Sequence, residues 1–91
     1  MLESDEAKSA KNLKERGIAF ERFADMDLET AVTVEDARTD YGERRVRLFG
    51  YIDGRFHVAV ITYRGDKVRV ISLRRANRRE ERTHAKEPQS P

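Results

Sequence analysis

The residues best suited to chemistry in this chain are arginines, and they are concentrated between positions 64 and 82. Eight of these nineteen residues are basic, and seven of the eight are arginines. Arginine carries a planar, permanently charged guanidinium group that can bind a phosphate through two hydrogen bonds at once. Because Val68, Val70 and Leu73 are interleaved with the arginines, the segment is typical of a folded strand. The cluster therefore indicates an ordered surface for a polyphosphate partner.

The charge of the chain is divided between its two halves. Residues 1–43 contain six basic and twelve acidic residues, a net charge of −6. Residues 44–91 contain thirteen basic and five acidic residues, a net charge of +8, and the two halves sum to +2. Such asymmetry can mean that the basic half contacts a nucleic acid or an acidic partner. The structural alternative is that both halves are solvated and neutralise each other in the fold. The preference for arginine over lysine favours a nucleic acid.

The same segment contains candidates for RNA cleavage. Without a metal, this reaction needs a base for the 2′-hydroxyl proton, a cation for the phosphate, and an acid for the leaving oxygen. Arginine suits only the second role, since its pKa lies above about 12. The functional interpretation places Arg64, Arg69 and Arg74 around the phosphate. Glu80 or His84 would then act as acid or base. The other titratable candidates are Glu81, His57 and Tyr63. The predicted RNA-binding residues are Arg47, Tyr63, Arg69, Arg75, Arg78 and Arg79.

Each candidate also has a purely structural interpretation. Glu80 can be the N3 residue of a helix-capping box, which the sequence alone favours over a catalytic role. His84 can be a solvated helix residue, His57 a strand residue bonded to backbone, and Tyr63 a packing residue beside a turn. The arginines of the last helix can form ion pairs along its surface: Arg78, Arg79 and Arg82.

Length and composition narrow the class of protein. A chain of 91 residues predicts one domain over residues 1–91, ordered over about 3–86, with a tail at 87–91. There is no cysteine, and the two histidines lie far apart, so no disulfide, no metal site and no other cofactor is predicted. No apolar run approaches the roughly 18 residues of a membrane-spanning helix. We therefore expect a cytoplasmic protein without a membrane partner.

The first half of the chain predicts two helices and a strand. Ser4 or Asp5 can cap a first helix, and Gly17 is placed to end it. The apolar residues that follow predict a short second helix over the core. Residues 30–35 are rich in β-branched side chains and predict a strand. The polar residues 36–44 predict a loop.

Two hairpins follow. Asp53-Gly54 and Gly65-Asp66 have the residue types of type I′ and type II′ turns, respectively. Two-residue loops predict two cross-strand pairs: Tyr51 with Phe56, and Tyr63 with Val68. Alternation then predicts a bulky sheet face under the amino-terminal helices, carrying Phe49, Phe56, Val58, Ile71 and Leu73. The opposite face, predicted to be an open cleft, would carry His57, Tyr63, Ser72 and Arg74.

The last predicted element is a helix over residues 78–86. Asn77 is placed as its N-cap, and Glu80 stands at N3, where it completes a capping box. The helix has almost no apolar residues. We therefore expect it to be mobile or held in place by a ligand.

Short motifs spaced along the chain resemble a known family. They are, in order, Asp5-Glu6-x-Lys8-x-x-x-Asn12, Gly17-Ile18-x-Phe20, Asp40-Tyr41-Gly42-Glu43-x-Arg45, Gly50, Thr62-x-Arg64-Gly65, Arg69-Val70-Ile71-Ser72-x-Arg74-x-Ala76 and Glu80. In these motifs the chain resembles the BrnT toxins, ribonucleases of bacterial type II toxin–antitoxin systems with a RelE-like fold.

The resemblance implies both a fold and an activity. The fold is α+β and RelE-like, with amino-terminal helices on a four-stranded antiparallel sheet and a short carboxy-terminal helix, as the element pattern also predicts. The activity is that of a metal-independent endoribonuclease, which cleaves cellular RNA and arrests growth. The implied partner is a BrnA-like antitoxin with a ribbon-helix-helix region, and the complex binds operator DNA.

The chain departs from the usual family pattern at four places: Ser4, Glu15-Arg16, Ile61 and His84. A tyrosine is frequent where His84 stands, and the histidine can replace it as a proton carrier. Two other functions are compatible with the same basic surface. One is a non-catalytic nucleic-acid-binding module, and the other is an interaction domain that docks an acidic partner.

Overall fold

A five-stranded sheet forms the centre of the computed structural model, which describes residues 2–36 and 42–85. Its strands are β1 (Leu2–Glu3), β2 (Val32–Glu35), β3 (Arg45–Ile52), β4 (Arg55–Arg64) and β5 (Lys67–Arg75). They lie in the order β1-β5-β4-β3-β2. Strands β2 to β5 pair antiparallel, as predicted, and β1 pairs with β5 in parallel. The prediction of four strands missed β1, because two residues carry no recognisable pattern.

The two predicted amino-terminal helices are confirmed. The first, α1, spans Glu6–Arg16, and a 3-10 helix spans Phe20–Asp25. Asp5 caps α1 by accepting hydrogen bonds from backbone N–H groups of the first turn, and Gly17 ends it in the left-handed region at φ 78°. Of the predicted loop, residues 37–41 lie outside the described part of the chain.

The carboxy-terminal helix α2 spans Arg78–His84. Its predicted capping box is confirmed: Asn77 accepts a hydrogen bond from the Glu80 backbone N–H, and Glu80 accepts one from the Asn77 backbone N–H. The helix ends at His84, because Ala85 is an extended C-cap, so the prediction that the helix continues to residue 86 was too long. The predicted tail at 87–91 lies outside the described residues.

Both hairpin turns have the predicted form. Asp53 and Gly54 have φ values of 52° and 75°, as a type I′ turn requires. Gly65 has a φ of 65°, the value of the first central residue in a type II′ turn. The two predicted cross-strand pairs are also present: Tyr51 with Phe56, and Tyr63 with Val68.

A β-bulge in β5 changes which side chains share a face. Val60 pairs with Ser72, but the next residue, Ile61, pairs with Val70. Ile71 is therefore an extra residue, and one extra residue inverts the direction of every side chain beyond it. The face prediction was wrong for four residues after this point: Ser72, Leu73, Arg74 and also Arg75, which was predicted at the margin of the bulky face.

One face of the sheet, which we call the α1 face, packs against α1 and the 3-10 helix. Its buried core consists of Phe20, Phe23, Met26, Val46, Leu48, Ile52, Ala59, Ile61, Val70 and Leu73. Gly50 permits the close approach, because a Cβ at this position would lie 2.8 Å from atoms of the Met26 side chain. The amino-terminal helices thus cover the face with smaller side chains, and the prediction that they cover the bulkier face was wrong.

The opposite face, which we call the α2 face, carries Phe49, Phe56 and Val58 as a second buried cluster. Ala76 and Ala85, on either side of α2, pack against this cluster. Phe49 is fully buried. The polar helix α2 is therefore held by contact with an aromatic patch on the sheet, although it has no apolar stripe of its own.

Two polar side chains of α1 attach this helix to the 3-10 helix and to β5. Ser9 Oγ accepts a hydrogen bond of 2.9 Å from the backbone N–H of Phe20. The Asn12 side-chain amide donates to the carbonyl oxygens of Ile18 and Leu73, each at 2.7 Å. Because Leu73 immediately precedes Arg74, Asn12 helps to set the position of the strand that carries this arginine.

Candidate functional site

The strongest polar contact on the α2 face joins Arg74 to Glu80. Arg74 Nη1 and Nη2 donate to the two carboxylate oxygens of Glu80, at 2.8 Å each. Their side chains are 37% and 18% exposed, so the pair is sheltered but still reachable from solvent. A bidentate pair of this kind holds the guanidinium plane in one orientation.

The environment of Glu80 limits its chemistry. Hydrogen bonds from Arg74, followed by the backbone N–H of Asn77, lower the pKa of the Glu80 carboxyl to about 2. At neutral pH this group is therefore ionised and has no proton to donate. The capping interpretation of Glu80 is confirmed, and the same carboxylate also orients Arg74, which the sequence did not reveal.

His84 lies one turn beyond Glu80, so α2 presents both side chains to the sheet. Its imidazole stacks on the Phe49 ring, with centroids 3.9 Å apart and an interplanar angle of 21°. The interpretation of His84 as a merely solvated helix residue is wrong, since its ring is partly buried against the sheet. Stacking holds the imidazole in place without using either of its nitrogen atoms.

Arg47 reaches the same ring from β3. Its guanidinium carbon lies 5.6 Å from the Phe49 centroid, a distance typical of a cation–π contact. The Arg47 Nε is buried and has no hydrogen-bond partner among the described residues. Sequence reasoning treated Phe49 as core alone, but the ring also positions two polar groups. The sequence contained one signal for this arrangement: Arg47 and Phe49 are two residues apart in a strand, so their side chains lie on the same face.

Arg47 and Arg74 flank β4 on this face. Arg47 pairs with Val60 on one side of β4, and Arg74 pairs with Val58 on the other. Two strand spacings separate them, roughly 10 Å across the sheet. Two guanidinium groups and an imidazole therefore surround a small area of the sheet, which we call the Arg74 site: Arg47, Phe49, Arg74, Glu80 and His84.

Arg64 and Arg69 lie away from the Arg74 site. Arg64 ends β4 six residues beyond Val58, about 20 Å along the strand, and Arg69 pairs with Thr62 near the same end. The Arg64 guanidinium is 3.9 Å from the Glu43 carboxylate. The prediction that Arg64, Arg69 and Arg74 surround one phosphate was wrong because the length of the strand separates them.

Tyr63, His57 and Arg75 belong to the α1 face. Tyr63 is half exposed beside the apolar residues Leu28 and Val68, and His57 pairs with Arg75. The prediction that Arg74 shares a face with Tyr63 and His57 was wrong, because the bulge turned Arg74 away. The backbone-bonded interpretation of His57 is confirmed: its Nδ1 is 2.7 Å from a backbone carbonyl oxygen.

Arg78 and Arg79 lie exposed in the first turn of α2. Within residues 2–36 and 42–85, neither side chain forms an ion pair, nor does Arg82. The predicted ion pairs along α2 are thus absent from the described part of the chain. These arginines are free to meet a ligand that approaches the Arg74 site.

The described residues contain neither a metal-binding cluster nor a membrane-spanning helix. No three His, Cys, Asp or Glu side chains there lie close enough to bind one metal ion. In the same part of the chain, no helix has the length and apolar character needed to cross a membrane.

Comparison with known proteins assigns the chain to a family. The sequence model of the family described as "Ribonuclease toxin, BrnT, of type II toxin-antitoxin system" matches residues 5–80. Comparison with curated proteins gives no match. The family match covers most of the chain, including β3, β4 and β5 and the residues through Glu80 of the Arg74 site. The chain belongs to the BrnT family, the ribonuclease toxins of type II toxin–antitoxin systems.

Proposed function

We propose that this toxin cleaves RNA at the Arg74 site, by attack of a ribose 2′-hydroxyl on the adjacent phosphate. The observation that carries the proposal is the juxtaposition of the Arg74–Glu80 pair with the His84 imidazole stacked on Phe49. This arrangement supplies a fixed cation for the phosphate and a titratable ring beside it. These are two of the three groups that metal-independent cleavage requires, and water can supply the third, the acid for the leaving oxygen.

Arg74 stabilises the charge that develops on the phosphate. A guanidinium group has five N–H donors, and Glu80 occupies only two of them in the bidentate pair. The backbone carbonyl oxygen of Arg75 accepts a further hydrogen bond from Arg74, at 3.2 Å. The Arg74 side chain is 37% exposed, so its positive charge can act on a bound phosphate while Glu80 keeps the group oriented. Arg47 contributes a second cation, and its unpartnered buried Nε–H would gain an acceptor from a bound phosphate.

His84 transfers the proton. The neutral imidazole accepts the proton of the 2′-hydroxyl as its oxygen attacks phosphorus. The bond from the 2′-oxygen to phosphorus forms as the bond from phosphorus to the 5′-oxygen breaks, which leaves a 2′,3′-cyclic phosphate. The 5′-oxygen takes a proton from water, and the hydroxide that remains takes the proton from the His84 imidazolium. Glu80 is a positioning residue in this scheme, because a carboxyl with a pKa of about 2 is a weak base and holds no proton to give.

The biological setting of the proposal follows the family. We assign the fold to the RelE-like group and the action of the toxin to the cytoplasm, where cellular RNA is available and its loss arrests growth. The partner would be a BrnA-like antitoxin with a ribbon-helix-helix region, and the complex would bind operator DNA. Membership in a type II toxin–antitoxin family supports these assignments.

Expression of the lone chain in bacteria tests the proposal, with His84→Phe as the decisive variant. Phenylalanine keeps a ring to stack on Phe49 but cannot carry a proton. We expect the parent to arrest growth and cleave RNA in the presence of a chelator, and His84→Phe to lose both effects with an unchanged melting temperature. Full toxicity of His84→Phe would remove His84 from the mechanism. A parent that binds RNA without cleaving it would make the chain a binding module.

A further inference from the structure

A second basic surface lies on the α1 face, away from the Arg74 site. It is an open groove of about 610 Å³ between the end of α1 and the turn that joins β3 to β4. The volume is within the range of roughly 300–1,000 Å³ that is typical of ligand sites. The groove is lined by Leu13, Arg16, Gly17, Ile18, Ala19, Arg22, Ile52, Asp53, Arg55, His57 and Arg75.

Three arginines of this groove have uncompensated charges. Arg16 ends α1, Arg55 begins β4 and Arg75 ends β5, so three separate elements bring them to one surface. In the described part of the chain, none of these three side chains forms an ion pair. The fourth arginine is different, because Arg22 binds both Asp25 and Asp53.

The groove also has apolar and polar surfaces between its cations. Leu13 is 52% exposed, although leucine side chains are usually buried. His57 is 5% exposed and lines the groove. Cations around an apolar floor fit a ligand with regularly spaced phosphates and flat or apolar groups between them.

The groove and the Arg74 site meet at one end of the sheet. Arg74 and Arg75 are consecutive residues of β5, so their side chains point to opposite faces. Arg75 pairs with His57 in the groove, whereas Arg74 belongs to the α2 face. A flexible strand bound at the Arg74 site therefore needs only to turn around the end of β5 to enter the groove.

We propose that the groove is a second RNA-binding site, which holds the phosphates of single-stranded RNA a few nucleotides away from the bond that is cleaved. The inference rests on the proposed function, since it assumes that RNA lies across the Arg74 site. Continuity with that site favours RNA over an acidic protein segment as the occupant. The groove would raise the affinity for long RNA and leave the chemical step unchanged.

The test uses a groove variant, a control variant and two substrates. Arg16→Gln/Arg55→Gln removes two of the groove cations. Lys11→Gln/Lys14→Gln removes the same charge from exposed positions of α1 that do not line the groove. The substrates are labelled RNAs of about 3 and about 30 nucleotides, below and well above the span of roughly 4–16 nucleotides that one small domain covers.

We expect the groove variant to raise KM for the long RNA about tenfold. It should leave kcat for both RNAs and KM for the short RNA unchanged. The log–log dependence of long-RNA affinity on salt should become shallower by about 1.4, since each contact contributes roughly 0.7. The control should show a smaller change in both quantities. Equal KM values and salt dependences for the two variants would overturn the proposal.

Two other outcomes separate this inference from the proposed function. If the parent cleaves neither RNA, the proposed function fails, and the salt dependence of long-RNA binding still decides whether the groove contacts phosphates. If the groove variant binds long RNA like the control but loses affinity for its antitoxin, the groove is a protein-binding surface and the proposal is wrong.

Discussion

At the scale of residues, the Arg74–Glu80 pair shows how one carboxylate serves both a helix and a cation. Glu80 completes the capping box of α2 and binds Arg74 through both of its oxygens. The start of the helix and the orientation of the arginine are therefore set by the same side chain. This coupling predicts that changes at either residue affect turnover more than RNA binding.

Arg74→Lys tests the role of the guanidinium group. Lysine keeps the charge but loses the bidentate fork, so we expect kcat to fall at least about tenfold, with most RNA affinity retained. Arg78→Lys, at an exposed position of α2, is the matched control and should leave kcat nearly unchanged. A kcat within twofold of the parent in Arg74→Lys would contradict the assignment of Arg74 as a catalytic residue.

Glu80→Gln tests the electrostatic role of the carboxylate through pH. The pKa of Glu80 is lowered in the folded protein from 4.5 to about 2, so ionised Glu80 stabilises the fold above pH 4.5. This contribution is lost as pH falls through 2. Melting temperatures measured from pH 7 to 2 should therefore fall more in the parent than in Glu80→Gln. Parallel curves for the two proteins would refute a stabilising Arg74–Glu80 pair.

At the scale of elements, α2 depends on its cap and on its contact with the sheet. Seven residues are too few for a stable isolated helix in water. Its position is set by the Asn77 cap, the Arg74–Glu80 pair and the stacking of His84 on Phe49. Because α2 carries two residues of the Arg74 site, we expect the stability of this helix and the activity of the toxin to be linked.

The two N-cap residues of the chain provide a matched comparison. Asn77→Ala and Asp5→Ala each remove a side-chain acceptor from a helix start, so each should lower the melting temperature by a similar amount. Only Asn77→Ala should reduce RNA cleavage, since α2 carries residues of the Arg74 site and α1 carries none. Equal activities at equal stability would mean that the position of α2 does not matter for catalysis.

At the scale of the whole molecule, the unequal charge of the two halves of the sequence gives the folded protein a basic surface. Basic residues lie on α2 and at both ends of β5, and the acidic residues lie mostly in the first half of the chain. RNA would be attracted to the basic surface, and so would an acidic segment of the antitoxin that the family implies. We therefore expect the antitoxin to inhibit the toxin by covering the α2 face.

Hydrogen exchange on the toxin–antitoxin complex tests this expectation. A segment laid over the α2 face should add protection in β5 and α2, between residues 64 and 84. The same experiment on the free toxin supplies the reference. Protection confined to residues 1–30 would place the antitoxin elsewhere and would exclude direct occlusion of the Arg74 site.

Local signals in the sequence determined much of this protein. The caps at Asp5 and Asn77 marked two helix starts, and the glycine-containing turns specified two hairpins with their cross-strand pairs. These features were predictable because each depends on residues within a few positions of one another. The spaced motifs also indicated the family, which the match over residues 5–80 confirms.

Only the tertiary structure decided which side chains meet. The bulge at Ile71 has no local signature, yet it moved Arg74 to the α2 face and Leu73 into the α1 core. The stacking of His84 on Phe49 and the separation of Arg64 from Arg74 likewise depend on strand length and helix docking. A one-residue shift inverts every later side chain of a strand, so a candidate site on a sheet cannot be assembled from alternation alone.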